Sequence, residues 1–100
     1  MVVDFEGELW RWDARRDDTW VFVTLPVEAS DDIRELTEGT RRGFGSVRVR
    51  VRIGTSRWST SIFPGGGDGA YVLPVKKAVR TAEGIEEGDD VEVALEVLDL

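Results

Sequence analysis

Leu25-Pro26-Val27 recurs as Leu73-Pro74-Val75, 48 residues further along the chain. Each copy ends a stretch rich in β-branched and aromatic residues, and each is followed by a short amphipathic segment, a glycine and a valine-rich alternating segment. Proline cannot donate a ladder hydrogen bond and therefore ends a strand, whereas glycine commonly closes a helix. The shared order of strand, proline, helix, glycine and strand predicts two similar halves.

The segments around this repeat carry the period-2 alternation that is typical of half-buried strands. Val47–Ile53 alternates apolar residues with arginine, and Val3–Leu9 alternates apolar with mostly acidic residues. The other expected strands are Trp10–Trp12, Thr19–Leu25, Arg57–Phe63, Tyr71–Leu73 and Val91–Val97. We therefore expect a mainly β, single-domain protein over residues 1–100: a small six- to seven-stranded, pseudo-two-fold barrel plugged by two short helices.

Two short amphipathic segments predict the helices. Ser30 is the expected N-cap of the first helix, because Asp31 and Asp32 follow it and carboxylates suit a helix N-terminus. Gly84 is the expected end of the second helix, whose apolar face is formed by Val75, Val79 and two alanines.

The second half resembles the swapped-hairpin motif of the AbrB and MazE class of bacterial DNA-binding proteins, through Val72-Leu73-Pro74 and residues 84–93. Nearly the whole chain resembles a bacterial family known as domain of unknown function nineteen-hundred-and-five. The matching stretches are Phe5-Glu6-Gly7, Trp10, Trp20–Pro26, Arg42–Val47, Trp58, Thr60–Pro64, Tyr71–Lys76 and Val79-Arg80. The resemblance implies a double-split β-barrel in a cytosolic protein and assigns no activity.

The composition removes several classes of enzyme. The chain contains no cysteine and no histidine, so it lacks a thiolate nucleophile, the usual neutral-pH base and the commonest transition-metal ligand. Serine-triad and zinc-hydrolase mechanisms are excluded in their standard forms. We therefore expect no catalytic residue, no metal site and no cofactor.

The net charge of −7 hides a segregation along the chain. Residues 1–40 carry 11 acidic and 4 basic residues, residues 41–80 carry 1 acidic and 9 basic residues, and residues 81–100 carry 8 acidic residues. Two interpretations stay open: the acidic ends neutralise the basic middle in the fold, or the basic middle faces an anionic partner.

Arg48, Arg50 and Arg52 form a row on one strand face, about 13 Å long at the usual strand spacing. Such a row matches successive phosphates. Alternatively, the acidic rows of Val3–Leu9 or Val91–Val97 lie beside it and make cross-strand ion pairs. We favour ion pairing for this row.

Lys76, Lys77 and Arg80 are harder to neutralise, because cations in a first helical turn oppose the helix dipole. With the loop cations they define a basic-aromatic patch that we take as the candidate ligand-binding site. Its expected members are Arg41, Arg42, Trp58, Ser61, Lys76, Lys77 and Arg80.

Trp10 and Trp12 share the strand parity of Glu6 and Glu8. If the strand is regular, they lie on its outer face and form an exposed aromatic patch; a β-bulge near Gly7 would turn them inward.

The patch predicts a non-enzymatic binding or interaction module for a small anion, a peptide or a protein domain. The alternative is a nucleic-acid-binding, transcription-regulator-like barrel of the AbrB class, which the net negative charge opposes. No apolar run is long enough to span a bilayer. We expect a cytoplasmic protein without a membrane partner, as a monomer or weak homodimer.

Overall fold

The computed structural model describes residues 1–15, 18–39 and 45–98, with the side chains of residues 13–15, 18 and 19 left outside that description. Seven strands and two α-helices lie within these residues. In chain order they are β1 (Val2–Glu8), β2 (Trp10–Arg15), β3 (Asp18–Thr24), α1 (Val27–Leu36), β4 (Val47–Ile53), β5 (Ser56–Pro64), β6 (Tyr71–Pro74), α2 (Lys77–Glu83) and β7 (Asp90–Val97).

The strands form one antiparallel sheet in the order β1-β7-β4-β5-β6-β3-β2. β1 and β2 stand at opposite ends of this order, yet only Leu9 separates them in the chain. Because β1 pairs with β7 while β2 pairs with β3, one continuous segment joins both ends of the sheet, which curls into a small barrel. The expected mainly β barrel is therefore confirmed, with seven strands.

β5 changes partner along its length. It pairs with β4 through residues 56–62 and with β6 only through Phe63 and Pro64. The barrel is split where β5 and β6 separate.

The pseudo-two-fold symmetry is visible in the pairing of β3 with β6. Thr24 lies opposite Val72, and these residues are 48 positions apart, the offset of the Leu-Pro-Val repeat. The pseudo-two-fold axis therefore passes through this pair. The expected pseudo-two-fold, double-split arrangement is confirmed.

Strand alternation builds the core. Every second residue of β4, from Val47 to Ile53, is buried, and the arginines between them face solvent. The largest fully buried side chains come from both halves: Leu9, Leu25, Ile33, Ile62, Tyr71, Leu73 and Leu95. The two halves thus share one core.

The helices correct one prediction and confirm another. α1 begins at Val27 with Pro26 as its N-cap, so the prediction that Ser30 caps the helix is wrong. Ser30 is buried inside the helix instead, because its hydroxyl oxygen accepts a hydrogen bond from the backbone N–H of Tyr71 at 3.0 Å. α2 ends at Gly84, as expected, with φ at +65°.

The outer face of strands β1, β7, β4 and β5 carries the arginine row. Arg50 lies opposite Glu96 of β7 and pairs with it at 2.8 Å, whereas Arg52 lies opposite Ala94. The acidic row of β1 is one strand further away, because β7 lies between β1 and β4. Cross-strand ion pairing therefore accounts for the middle arginine of the row.

Neither α1 nor α2, the helices of the described part of the chain, combines the length and apolar character that a membrane-spanning helix needs.

Candidate functional site

A cleft of about 460 Å³ opens where β5 separates from β6. We call it the split cleft. Its lining comes from β3, β5 and the segment that leads from β6 into α2: Trp20, Val21, Trp58, Ser59, Thr60, Pro74, Val75, Lys76, Lys77 and Arg80. The site is therefore a product of the split barrel rather than of one loop.

Three cations lie on the α2 side of the split cleft. Pro74 ends β6, and the helix then begins at Lys77, so Lys76 and Lys77 fall at the junction between strand and helix. Arg80 follows one turn later, and its Nε donates a hydrogen bond to the carbonyl of Val75 at 3.1 Å. Within residues 1–15, 18–39 and 45–98, none of the three has a carboxylate partner.

α2 carries a single carboxylate, that of Glu83, and it is engaged elsewhere. The Ser56 hydroxyl donates to it at 2.6 Å, and the hydroxyl and backbone N–H of Thr55 donate at 3.2 and 3.4 Å. These hydrogen bonds, led by that of Ser56, hold the pKa of Glu83 below its ordinary value, although partial desolvation acts in the opposite direction. Glu83 therefore anchors α2 to the β4–β5 turn.

Two indole rings lie on the strand side of the split cleft. Trp58 of β5 is half-buried and packs against the core. Trp20 of β3 is half exposed and stacks with Phe22, with ring centroids 6.2 Å apart. Ser59 and Thr60 lie beside Trp58 and add two hydroxyls to the lining.

Four of the seven predicted site residues meet in this cleft: Trp58, Lys76, Lys77 and Arg80. Ser61 lies opposite Arg48 on the outer face of β5 and does not line the cleft, although Ser59 on the same face does. Arg41 and Arg42 lie outside the described residues.

Sequence reasoning missed Trp20. Thr19–Leu25 is apolar at nearly every position, so the strand was interpreted as buried on both faces. In the structure Val21 and Val23 are buried, but the alternate residues Trp20 and Phe22 point to the outer face. Their shared parity was the available signal, and the identity of the outer face depended on which strands pair.

That outer face carries further aromatic side chains. The strand parity continues unbroken from β1 into β2, so Trp10 and Trp12 face outward, as expected for a regular strand. Trp12 lies directly opposite Trp20, while Trp10 stacks on Phe22 with centroids 5.1 Å apart and donates from Nε1 to the Thr24 hydroxyl at 2.9 Å. Trp20 thus belongs to both this aromatic face and the split cleft.

The arrangement combines two kinds of contact in one concave surface. The cations attract an anionic group, and arginine and lysine are the usual phosphate-binding side chains. The indole rings offer flat apolar surface. No carboxylate lines the cleft among the described residues, and these residues contain no acidic cluster with metal-ligand geometry.

The protein-family model described as "Domain of unknown function (DUF1905)" matches residues 5–95, which is most of the chain. The match confirms the family predicted from the sequence. A comparison with curated proteins found no match.

Proposed function

The chain belongs to the DUF1905 family, and because that description assigns no activity, we propose a function from the split cleft: the protein is a non-enzymatic binding module. Its ligand is a small anionic molecule, or a peptide or protein partner that presents an anionic group. The observation that carries this proposal is the set of three cations without carboxylate partners beside two indole rings.

Repulsion between the cations supports the proposal. Lys77 precedes Arg80 by three positions within α2, and like charges at this spacing destabilise a helix by about 0.2–0.5 kcal/mol, while Lys76 adds a third positive charge at the N-cap. Glu83 is three positions after Arg80, but its carboxylate is bound to the β4–β5 turn. An anion in the cleft relieves this repulsion, and the fold itself supplies no substitute among the described residues.

Isothermal titration calorimetry with ATP, tripolyphosphate, a sugar phosphate and an acidic peptide tests the proposal. We expect at least one to bind, and Lys76→Ala/Lys77→Ala to weaken that binding at least about tenfold, since a hydrogen bond to a charged group contributes about 1.5–3 kcal/mol.

The matched control is Arg52→Ala/Arg57→Ala. It removes the same two charges from the outer face of β4 and β5, where neither arginine has an ion pair among the described residues. The control should bind like the wild type. Equal weakening by both double variants would show a general charge effect and contradict a site at the cleft.

The alternative is a nucleic-acid-binding barrel of the AbrB class, supported by the basic segment 41–80. It predicts salt-sensitive retention on immobilised duplex DNA, because released counterions drive such binding. The net charge of −7 opposes it. Failure of the protein to bind a duplex DNA column at low salt would eliminate this alternative and leave the first proposal intact.

A further inference from the structure

We infer that the ligand of the split cleft joins a flat aromatic base to a phosphate group, as a nucleoside phosphate does. This inference rests on the proposed function, since it requires the cleft to be the binding site. It adds the chemical class of the ligand, which the cations alone do not define.

The split cleft has two chemically different sides. Lys76, Lys77 and Arg80 come from the junction of β6 with α2, whereas Trp20 and Trp58 come from β3 and β5. An inorganic anion would contact only the first side, and an uncharged aromatic molecule only the second. A ligand that uses both sides needs a negative group and a planar apolar group in one molecule.

The cationic side suits phosphate. The Nε of Arg80 is held by the Val75 carbonyl at 3.1 Å, and the two terminal guanidinium nitrogens have no partner among the described residues. A guanidinium in a fixed position offers paired donors that match phosphate oxygens, and the neighbouring lysines add charge without a directional requirement.

The aromatic side suits a base. Trp20 is 50% exposed although it is a large apolar side chain, and bases stack favourably on such rings. The hydroxyls of Ser59 and Thr60 line the same cleft and can donate or accept hydrogen bonds with a sugar or a base edge. The cleft volume of about 460 Å³ falls in the usual range for small-molecule sites.

The same chemistry has two sources: a free nucleotide and the end of a single nucleic-acid strand. Trp20 also lies on the outer aromatic face, directly opposite Trp12. A second base of a strand would stack on that face, whereas a free nucleotide would contact only Trp20. Trp12 therefore distinguishes the two sources.

The experiment compares ATP with its two parts, adenosine and tripolyphosphate, by calorimetry on the full chain. We expect ATP to bind at least about tenfold more tightly than either part. Trp20→Ala should weaken the binding of ATP at least about fivefold, because a stacked base typically contributes that much to affinity. The same variant should leave the affinity for tripolyphosphate unchanged. Trp12→Ala is the matched control, because Trp12 is 53% exposed but does not line the cleft; it should change ATP affinity less than about twofold.

A four-nucleotide single strand with a 5′ phosphate completes the comparison. If the single strand binds more tightly than ATP, and both Trp20→Ala and Trp12→Ala weaken its binding, the result supports the nucleoside-phosphate class and assigns the strand as the ligand. If the single strand binds no more tightly than ATP and Trp12→Ala does not affect its binding, the result supports the nucleoside-phosphate class and assigns the free nucleotide as the ligand.

Two results would overturn the inference, and they differ from each other. If tripolyphosphate binds as tightly as ATP and Trp20→Ala has no effect, the ligand class is wrong while the anion-binding proposal stands. If no probe responds to Lys76→Ala/Lys77→Ala, both proposals fail. A circular dichroism spectrum like that of the wild type and a cooperative melting transition for each variant exclude misfolding as the cause.

Discussion

Ser30 is a polar side chain buried in the middle of α1, where its hydroxyl oxygen accepts the backbone N–H of Tyr71 at 3.0 Å. This N–H lies at the start of β6, next to the residue pair on the pseudo-two-fold axis. A side chain thus completes hydrogen bonding that the strand ladder leaves unfinished, and it fixes α1 against β6.

Ser30→Ala leaves a buried N–H without a partner, which costs about 1–3 kcal/mol in general. We expect the free energy of unfolding, measured by urea denaturation, to fall by that amount. Ser59→Ala, at an exposed serine of β5, should change it by less than about 0.5 kcal/mol. Equal stability of the two variants would contradict this role of Ser30.

Glu83 predicts a pH dependence of stability. Its pKa is lowered in the folded state, mainly by the hydrogen bond from Ser56. The contribution of ionised Glu83 to the free energy of unfolding is therefore fully present above its unfolded-state pKa. This contribution is lost as the pH falls through the folded-state pKa. Glu83→Gln should melt at a lower temperature than the wild type at neutral pH, and the difference should shrink on acidification.

Melting curves between neutral and acidic pH measure this effect, with Glu35→Gln on the exposed side of α1 as the control. A difference between the wild type and Glu83→Gln that stays constant over the whole range would contradict it. Gly54 supports the same contact: its φ is +59°, and a Cβ there would overlap with Glu83 Oε1.

At the scale of the element, β1 approaches β3 closely at Gly7, just before the chain continues into β2. A Cβ at this position would lie 2.6 Å from Val23 Cγ2, and Val23 is fully buried. No side chain larger than hydrogen fits unless β1 or the side chain of Val23 shifts. The glycine therefore lets the segment cross from one end of the sheet to the other.

Gly7→Ala should lower the free energy of unfolding by about 1–3 kcal/mol, the usual cost of overpacking. In a Val23→Ala background the added cost should fall by at least about half, because the clashing methyl is gone. Chemical denaturation of the four proteins in this cycle measures the coupling. Gly67→Ala is the control, since a Cβ there meets no atom within 4 Å; additive effects of Gly7→Ala and Val23→Ala would refute the close approach.

The elements also show what local sequence patterns can predict. The sequence predicted the end of β6 from Pro74, the strand β4 from its alternation and the end of α2 from Gly84. These three predictions were correct because each feature depends on the local residues alone. The start of α1 was misplaced, because Ser30 has the chemistry of an N-cap but is recruited by a distant backbone N–H. The exposure of Trp20 was missed because it depends on strand pairing across the barrel.

At the scale of the whole molecule, the two halves of the chain depend on each other. β4 pairs with β5 and β7, β3 pairs with β6, and β1 pairs with β7. Only the β2–β3 pair and a two-residue contact of β5 with β6 lie within one half. The repeat in the sequence indicated two similar halves, but it did not indicate that their strands interleave.

Neither half should therefore fold alone. A fragment of residues 1–54 and one of residues 55–100 should each lack β-sheet circular dichroism, because an isolated hairpin is marginally stable. Mixing the fragments should restore the β-sheet signal and Trp58 fluorescence. A folded spectrum from either fragment by itself would contradict the interleaved arrangement.

The pseudo-two-fold axis through Thr24 and Val72 relates two halves of a single chain, whereas the two-fold axis of a homodimer relates identical subunits. A homodimer must alter both copies of a surface whenever it alters one, whereas a single chain can specialise each copy. At the 48-residue offset, Lys76 corresponds to Glu28 and Arg80 to Asp32, so the charge at these two positions is inverted between the helices. The two halves therefore share one scaffold but differ in helix charge, and the cations of α2 are the ones that lie at the split cleft.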